Sequence, residues 1–376
     1  MTEIPIVQID LPPGFIDLGM GNPDLSLLPL ESMRRASEKF FSSNDPRPLQ
    51  YGIEQGDGYF RNALASFLSD AYQFSVSPAA LFVTNGASSA LNLVCNLFTQ
   101  PGDVVFAEEP SYFLALRIFK DLGLRVVPIE MDADGLSIDS LAEKLAQQRP
   151  KFIYTIPTFQ NPSGRTLSQG RRQRLVELAQ EHDFLIIADE VYQFLNYSQT
   201  PPAPFAQFTE DEEQVISVNS FSKILAPGLR LGWIQAHEAV IRKLAGCGLL
   251  DSGGGMNPFA SALLRHLIEA GDLNAHIAAE RSEFSSRLAV MDQSLQQFLP
   301  DAVYKRPEGG FFFWVRFPGV DTIEMRPIVK QHNVDYRPGR LFSSQAGLDE
   351  YARMSFAVNG VDEINEGIKR LSKCMG

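Results

Sequence analysis

The stretch Phe184-Leu185-Ile186-Ile187-Ala188-Asp189-Glu190-Val191-Tyr192 contains an unbroken apolar run that ends in a carboxylate. Such a run, without polar alternation, is typical of a strand of a parallel sheet, which is buried on both faces. Ligands of open α/β sheets bind at the carboxyl ends of these strands, so Asp189 is predicted to lie at a binding site. Glu190 is interpreted as a structural neighbour of that site.

Other short apolar runs repeat along the chain. They lie near residues 81, 104, 125, 152, 215 and 231 and alternate with helical segments. This alternation predicts an α/β fold with a mainly parallel sheet. Further strands near residues 309–315 and 351–357 are predicted to belong to a smaller C-terminal domain.

Composition excludes several classes of protein. The 376 residues are 44% hydrophobic and 21% charged, as in a compact globular protein, and the net charge of -12 argues against nucleic-acid or anionic-membrane binding. No apolar run approaches the ~20 residues of a membrane span, and no secretory signal is visible. The isolated Cys95, Cys247 and Cys374 favour a reducing cytoplasm and, with five scattered histidines, give no support to a metal site.

The segment from Ser220 to Trp233 carries an unusual lysine. Lys223 stands in Ser-Phe-Ser-Lys-Ile-Leu-Ala, and a partly desolvated lysine has a lowered pKa and can form a Schiff base. Ser220, Ser222 and Arg230 supply the hydroxyl and guanidinium donors that an anionic group needs. From these residues alone, a strand and turn with a chance lysine remains an alternative.

A second anion-binding pattern lies at Gly86-Ala87-Ser88, between an apolar strand and a helix that begins there. The free backbone N–H groups and the positive dipole of a helix N-terminus favour a phosphate. The sequence therefore predicts two halves of a phosphate site, one at residues 86–88 and one around Lys223.

These motifs together resemble the class I/II aminotransferases, which are pyridoxal-phosphate (PLP) enzymes. Ser220-Phe221-Ser222-Lys223 with Pro227-Gly228-Leu229-Arg230-Leu231-Gly232-Trp233 is similar to the family's lysine segment. Asn161-Pro162-Ser163-Gly164, Asp189-Glu190-Val191-Tyr192 and Arg353-Met354-Ser355-Phe356 are similar to further family motifs. The resemblance covers roughly residues 15 to 370 and is nearest to the 2-aminoadipate and kynurenine aminotransferase branch.

The resemblance implies a role for each matching residue. Lys223 is the catalytic lysine that forms a Schiff base with PLP, Asp189 holds the proton on the pyridine nitrogen, and Arg353 binds the α-carboxylate of the substrate. The implied cofactor-binding residues are Tyr51, Gly86, Ala87, Ser88, Tyr112, Asn161, Asp189, Tyr192, Ser220, Ser222, Lys223 and Arg230. The implied substrate-binding residues are Gly21, Asn161 and Arg353, with no metal.

The resemblance also implies an architecture and partners. The expected fold is the type I fold of PLP-dependent transferases, with helices on both faces of the sheet and a small α+β domain built from both termini. The expected boundaries are 1–40 for the N-terminal segment of the small domain, 41–250 for the large domain and 251–376 for the C-terminal small domain. A cytoplasmic homodimer with shared active sites is expected, in which Tyr51 reaches the neighbouring subunit's cofactor phosphate. Asp57-Gly58 departs from the family pattern after Tyr51 and puts the local turn in doubt.

The implied reaction moves an amino group between an L-amino acid and a 2-oxo acid, in amino-acid metabolism or biosynthesis. The leucine-rich segment at residues 25–30 favours an apolar or amphipathic side-chain pocket over a second carboxylate site. With the resemblance, the expected substrate side chain is apolar, aromatic or 2-aminoadipate-like. Three alternatives are considered. Another PLP reaction (β-lyase, decarboxylase or aminocyclopropane-carboxylate-synthase-like) uses the same residues. An effector-sensing domain of a transcription regulator is disfavoured by the few residues before Phe15, and a nicotinamide dehydrogenase by the lack of its glycine fingerprint.

Overall fold

The computed structural model describes residues 11–375, and within that range it contains two small sheets and one large one. The strands are β1 (Ile16–Asp17), β2 (Leu81–Thr84), β3 (Val104–Glu109), β4 (Arg125–Asp132), β5 (Gly135–Leu136), β6 (Phe152–Thr155), β7 (Leu185–Asp189), β8 (Val215–Ser220), β9 (Gly232–Ala236), β10 (Phe312–Arg316), β11 (Val334–Asp335), β12 (Arg337–Pro338) and β13 (Tyr351–Ser355).

The large sheet has the strand order β2-β9-β8-β7-β6-β3-β4-β5. Its central strands, from β8 through β7, β6 and β3 to β4, are all parallel, whereas β9 runs antiparallel to both of its neighbours, β2 and β8. The predicted mainly parallel sheet is confirmed. Because β9 runs the other way, its first residue lies at the carboxyl ends of β2 and β8.

The helices are α1 (Leu30–Ser42), α2 (Gly58–Tyr72), α3 (Ala87–Phe98), α4 (Phe113–Asp121), α5 (Ile138–Leu145), α6 (Gln169–His182), α7 (Glu238–Ala245), α8 (Gly248–Gly253), α9 (Pro258–Glu269), α10 (Asp272–Phe298), α11 (Thr322–Gln331) and α12 (Val361–Ser372). None of the helices within residues 11–375 is both long and apolar enough to cross a membrane.

Helices cover both faces of the large sheet. Successive strand residues point to opposite faces, so Ile186 and Ile187 enter different parts of the core. Ile186 packs in the group that contains Leu175 of α6, and Ile187 in the group that contains Leu91 of α3. Both strand residues are fully buried, which explains the continuous apolar run in the sequence.

Asp57 resolves the turn that departs from the family pattern. Its carboxylate accepts the backbone N–H of Phe60 at 2.6 Å and caps the N-terminus of α2. An aspartate N-cap stabilises a helix by about 1 kcal/mol. The unusual residue therefore starts the helix and does not disrupt the turn.

One of the two smaller sheets combines residues from both ends of the chain, and the other is built from C-terminal residues alone. β1 pairs in parallel with β11, and β13 lies between β10 and β12 in an antiparallel sheet. Asn359 also donates its side-chain amide to the backbone oxygen of Asp17 at 3.0 Å. The segment at residues 16–18 thus contacts the C-terminal part, while the predicted boundaries at residues 40 and 250 stay predictions.

A buried charge network lies beneath the carboxyl end of β7. Glu190 accepts hydrogen bonds from Ser217 and from the backbone N–H groups of Phe205 and Ala206. Arg172 of α6 is fully buried, with its guanidinium 3.8 Å from the Glu190 carboxylate. The interpretation of Glu190 as a structural residue agrees with these contacts.

Replacing Arg172 with leucine should lower the free energy of unfolding by about 3–5 kcal/mol, because Glu190 would keep a buried charge without its partner. The midpoint of guanidinium unfolding measures the change. Arg174→Leu is the matched control, since Arg174 lies on the same helix but forms exposed ion pairs with Glu177 and Glu181. Equal midpoints for the two variants would contradict the prediction.

Candidate active site

The site lies where several strands of the large sheet end. Asp189 is the last residue of β7, Ser220 is the last of β8, and Asn161 follows β6 by a short turn. Arg230, two residues before the antiparallel β9, lies at the same edge. One edge of the sheet therefore gathers residues that are distant in sequence.

Lys223 lies just beyond β8 in a turn fixed by packing. Phe221 is buried against Trp233, with ring centroids 4.9 Å apart, and its backbone N–H donates to Leu231. The Nζ of Lys223 donates to the backbone oxygen of Gly21 at 2.7 Å. Burial lowers the pKa of Lys223 from its ordinary 10.5 to about 8, and the nearby Arg353 charge acts in the same direction.

Asp189 presents one unpaired carboxylate oxygen. Its Oδ2 accepts a hydrogen bond from the hydroxyl of Tyr154 at 2.7 Å, whereas its buried Oδ1 has no partner among the described residues. Burial raises the pKa of Asp189 to about 6. A buried acceptor without a donor is costly, so this oxygen is suited to a protonated nitrogen of a ligand.

Arg353 lies on β13 and is buried beside Asn161. Its Nη1 donates to Asn161 Oδ1 at 2.9 Å and its Nη2 to the backbone oxygen of Gly19 at 2.7 Å, while its buried Nε has no partner in the described part of the chain. Three aromatic rings surround the guanidinium, with centroids 4.0 to 6.0 Å away, and they belong to Phe312, Phe342 and Phe113. Burial lowers the pKa of Arg353 to about 10, which leaves it charged at neutral pH.

Gly21 and Tyr192 complete this side of the site. A Cβ on Gly21 would lie 2.9 Å from the ring of Phe312, so only glycine fits there without a shift. Tyr192 is buried with its hydroxyl beside the Asn161 amide, and its ring packs edge-on against Phe312. Burial raises the pKa of Tyr192, which therefore stays protonated.

The two predicted halves of the anion site meet. Gly86 has φ +89° and precedes α3 as a cap without a side chain, so the first N–H groups of α3 are free of a side-chain cap. The exposed Arg230 guanidinium lies beside it, 3.0 Å from the position of a Gly86 Cβ, and donates to the Asn85 backbone oxygen. On the other side, Ser220 and Ser222 join their hydroxyls at 2.9 Å. Ala87 is half-buried, and Ser88 is exposed at the same helix start.

Tyr112 and Tyr51 occupy different environments. Tyr112 precedes α4 and is half-buried near Asp189 and Arg353, and burial raises its pKa to about 12. Tyr51 is 84% exposed, and no hydrogen bond in the described part of the chain joins it to another predicted site residue. The structure thus brings Tyr112 to the site but leaves Tyr51 on the surface of the single chain.

Sequence reasoning missed Tyr154 and Glu108. Glu108 ends β3 with Glu109 and is fully buried, where its carboxylate accepts from Thr155, the Ile156 backbone and Gln160. Burial raises the pKa of Glu108 to about 7. The sequence signal for Tyr154 was its place inside an apolar strand, since a buried phenol needs a hydrogen-bond partner.

The donor set fits PLP. Lys223 offers an amine of lowered pKa, Asp189 a bare carboxylate oxygen for a ring nitrogen, and the α3 terminus with Arg230 an anion cradle. The positive φ and side-chain-free face of Gly86 keep that cradle open.

Comparisons with known proteins agree in family and fold. The family "Aminotransferase class I and II" matches residues 13–371. "Aromatic-amino-acid aminotransferase 1" of Thermococcus litoralis is 36% identical over 95% of this chain and 87% of its own. The solved structure of Pyrococcus horikoshii kynurenine aminotransferase, in complex with PMP and substrates, has a TM-score of 0.90 at 33% identity over 96% and 90% of the two chains. LysN, the α-aminoadipate aminotransferase of Thermus thermophilus complexed with N-(5'-phosphopyridoxyl)-L-leucine, has a TM-score of 0.87 at 28% identity over 96% and 92%.

In the protein without cofactor, acetic anhydride should acetylate Lys223 with a pH midpoint of about 8, because only the unprotonated amine reacts. Competitive labelling read out by peptide mass spectrometry measures the midpoint for each lysine. The exposed Lys120 serves as the comparison within the same sample. A Lys223 profile that coincides with the Lys120 profile would refute the lowered pKa.

Proposed function

The chain belongs to the class I and II aminotransferases, and we propose which of its residues perform the reaction of that family. The protein is a PLP-dependent enzyme that moves an amino group between an amino acid and a 2-oxo acid. The family and its aminotransferase relatives favour transamination over the lyase, decarboxylase and cyclase alternatives. The observation that carries the assignment of roles is the position of Lys223 just beyond β8, at the sheet edge where β7 ends in Asp189, with its Nζ 2.7 Å from the backbone oxygen of Gly21.

Lys223 is the catalytic residue. When bound, PLP supplies an aldehyde that condenses with amines and a pyridine ring that accepts electrons. With a pKa of about 8, Lys223 carries an appreciable unprotonated fraction at neutral pH. Its free Nζ takes the proton from the substrate Cα, and a basic group with a pKa near the working pH is suited to that transfer.

The remaining cofactor contacts follow from the site. Asp189 would offer its Oδ1 to the ring nitrogen, Asn161 and Tyr192 would bind the phenolic oxygen, and Tyr112 would pack against the ring. The phosphate is bound by the α3 terminus and the residues around Lys223, namely Gly86, Ala87, Ser88, Ser220, Ser222 and Arg230. The free helix N–H groups and the guanidinium support this assignment, since both favour an anion.

Arg353 binds the α-carboxylate of the substrate, beside Gly21 and Asn161. Its Nε has no partner among residues 11–375, which supports this role, since a carboxylate oxygen would supply the missing acceptor. The surrounding rings of Phe312, Phe342 and Phe113 limit water and strengthen the ion pair. A fixed carboxylate orients the Cα–H bond toward Lys223.

The preferred substrates have apolar, aromatic or 2-aminoadipate-like side chains. Leu25 is 73% exposed and Leu27 and Leu28 are half-exposed in the segment that follows Gly21, which offers apolar surface near the substrate. The aromatic-amino-acid and kynurenine aminotransferases among the relatives support the same class. We place the enzyme in the biosynthesis or interconversion of such amino acids.

A homodimer with shared sites is part of the proposal. Exposed apolar side chains form a surface that we term the Tyr51 face, consisting of Phe41, Leu49, Tyr51, Ile53, Tyr59 and Phe259. The parts of this face are joined, since Phe41 packs near Phe259 and Gly52 bridges to Gly255. A large exposed apolar surface favours association. Tyr51, exposed in one chain, then reaches the phosphate site of the partner.

The domain division at residues 1–40, 41–250 and 251–376 and a cytoplasmic location are also proposed. The pairing of β1 with β11 supports a small domain built from both ends. The cysteines Cys95, Cys247 and Cys374 are all free, which suits a reducing compartment.

The purified enzyme loaded with PLP should show a visible absorption band that shifts when an amino donor is added. Lys223→Ala should abolish the band of the covalently held cofactor and lower kcat by several orders of magnitude. A panel of aromatic, branched, acidic and 2-aminoadipate donors with 2-oxoglutarate or pyruvate then measures specificity. A preference for aspartate over every apolar donor would contradict the proposed substrate class.

Ile53→Asp on the Tyr51 face should both dissociate the dimer and weaken PLP binding. A carboxylate buried in the interface disfavours association, and dissociation withdraws the partner's Tyr51 from the phosphate site. Sedimentation velocity and equilibrium dialysis measure the two effects. Val303→Asp is the control, since Val303 is also exposed but lies outside this face. A monomeric Ile53→Asp protein with unchanged PLP affinity would overturn the shared site.

A further inference from the structure

A hydrogen bond beneath the site involves a residue that has no assigned role. Tyr154 lies on β6, next to β7 in the sheet, and its side chain is almost fully buried. Its hydroxyl donates to Asp189 Oδ2 at 2.7 Å. The other oxygen, Oδ1, is buried without a partner among residues 11–375. The two oxygens of one carboxylate are thus divided between a protein donor and an open position.

The groups around this pair keep Tyr154 a donor. Its pKa is raised well above 10 by burial and by the negative charges of Asp189 and Glu108. Tyr112 also faces Tyr154, and the positive group that faces Asp189 is Lys223. A phenol in this environment stays protonated and donates its hydrogen bond across the neutral pH range.

We propose that Tyr154 is a positioning residue of the transamination reaction, which acts through Asp189 by fixing its carboxylate and lowering its basicity. The inference rests on the proposed role of Asp189 at the ring nitrogen. A hydrogen bond to a carboxylate stabilises its charged form. Asp189 then competes less well for the proton that it shares with the ring nitrogen, and the proton remains on the ring.

The consequence concerns the electron demand of the ring. Without the Tyr154 hydroxyl, Oδ2 is buried and unpaired and the carboxylate becomes more basic. Asp189 would then hold more of the proton that it shares with the ring nitrogen, and a bound ring would be a weaker electron acceptor. The effect should fall on kcat, since Arg353 and the substrate carboxylate are untouched.

Tyr154→Phe in the holoenzyme tests the proposal. We expect kcat to fall by about ten- to a hundredfold, as for loss of a hydrogen bond to a charged group, with little change in KM for the amino donor. The pH midpoint of the visible band should rise, because a less cationic ring withdraws fewer electrons from the lysine-linked nitrogen. Equilibrium dialysis gives PLP affinity as a readout independent of turnover, and we expect it to weaken.

Tyr72→Phe is the matched control. The Tyr72 hydroxyl is also buried, but it has no partner among the described residues, and its ring stacks on Phe194. This variant also removes a buried tyrosine hydroxyl but does not affect Asp189. It should leave the pH midpoint of the visible band and kcat unchanged. If Tyr154→Phe behaves like Tyr72→Phe, the proposal fails.

Two further variants separate the possible failures. In an Asp189→Asn background, adding Tyr154→Phe should cause no additional loss of PLP affinity, because the hydroxyl acts through the carboxylate; a full additive loss would indicate a merely structural role. Asp189→Asn with normal affinity and spectrum would instead refute the role proposed for Asp189. A fluorinated tyrosine at position 154, a stronger donor of nearly equal size, should lower the midpoint, and a rise would overturn the proposal even if Tyr154→Phe does not fold.

Discussion

The burial of one carboxylate governs the chemistry of this site. Asp189 ends a strand that is covered on both sides, and a charge in that position must be compensated. Among residues 11–375, the hydroxyl of Tyr154 donates to Oδ2, and Oδ1 has no hydrogen-bond partner. The nearby positive charge of Lys223 also favours the charged form of Asp189, and repulsion from Arg353 helps to lower the pKa of Lys223 to about 8. Asp189 and Arg353 thus act on the pKa of Lys223 in opposite directions.

The reversed direction of β9 determines where the anion cradle forms. If β9 were parallel to its neighbours, its first residues would lie beside their amino ends, at the opposite edge of the sheet from their carboxyl ends. Because β9 lies between β2 and β8 and runs antiparallel to both, it places Arg230 beside Gly86. Gly232 at its start fits only because it lacks a side chain, since a Cβ would lie 2.4 Å from the Asn219 backbone oxygen.

Sequence patterns predicted the fold and identified most residues of the candidate site, because buried parallel strands and the lysine segment have distinctive local sequences. The mainly parallel sheet is confirmed, and Asp189 and Arg353 both lie close enough to Lys223 to affect its pKa. The roles of these residues stay predictions. The Tyr154 contact could not be foreseen, since it joins side chains 35 positions apart whose register depends on strand pairing. The role of the exposed Tyr51 depends on contact with a second chain, and the sequence indicates that contact only through its resemblance to the family.

The contacts of Arg353 have a consequence for the energetics of recognition. Its Nη1 and Nη2 already donate to Asn161 and to the Gly19 backbone, and rings enclose its plane. These two oxygens provide hydrogen-bond acceptors for the buried guanidinium when no substrate is present. The cost of desolvating and ordering the Arg353 side chain is therefore part of folding. A substrate carboxylate then binds to a cation that is already desolvated and oriented. Affinity at this subsite then reflects an exchange of hydrogen-bond partners.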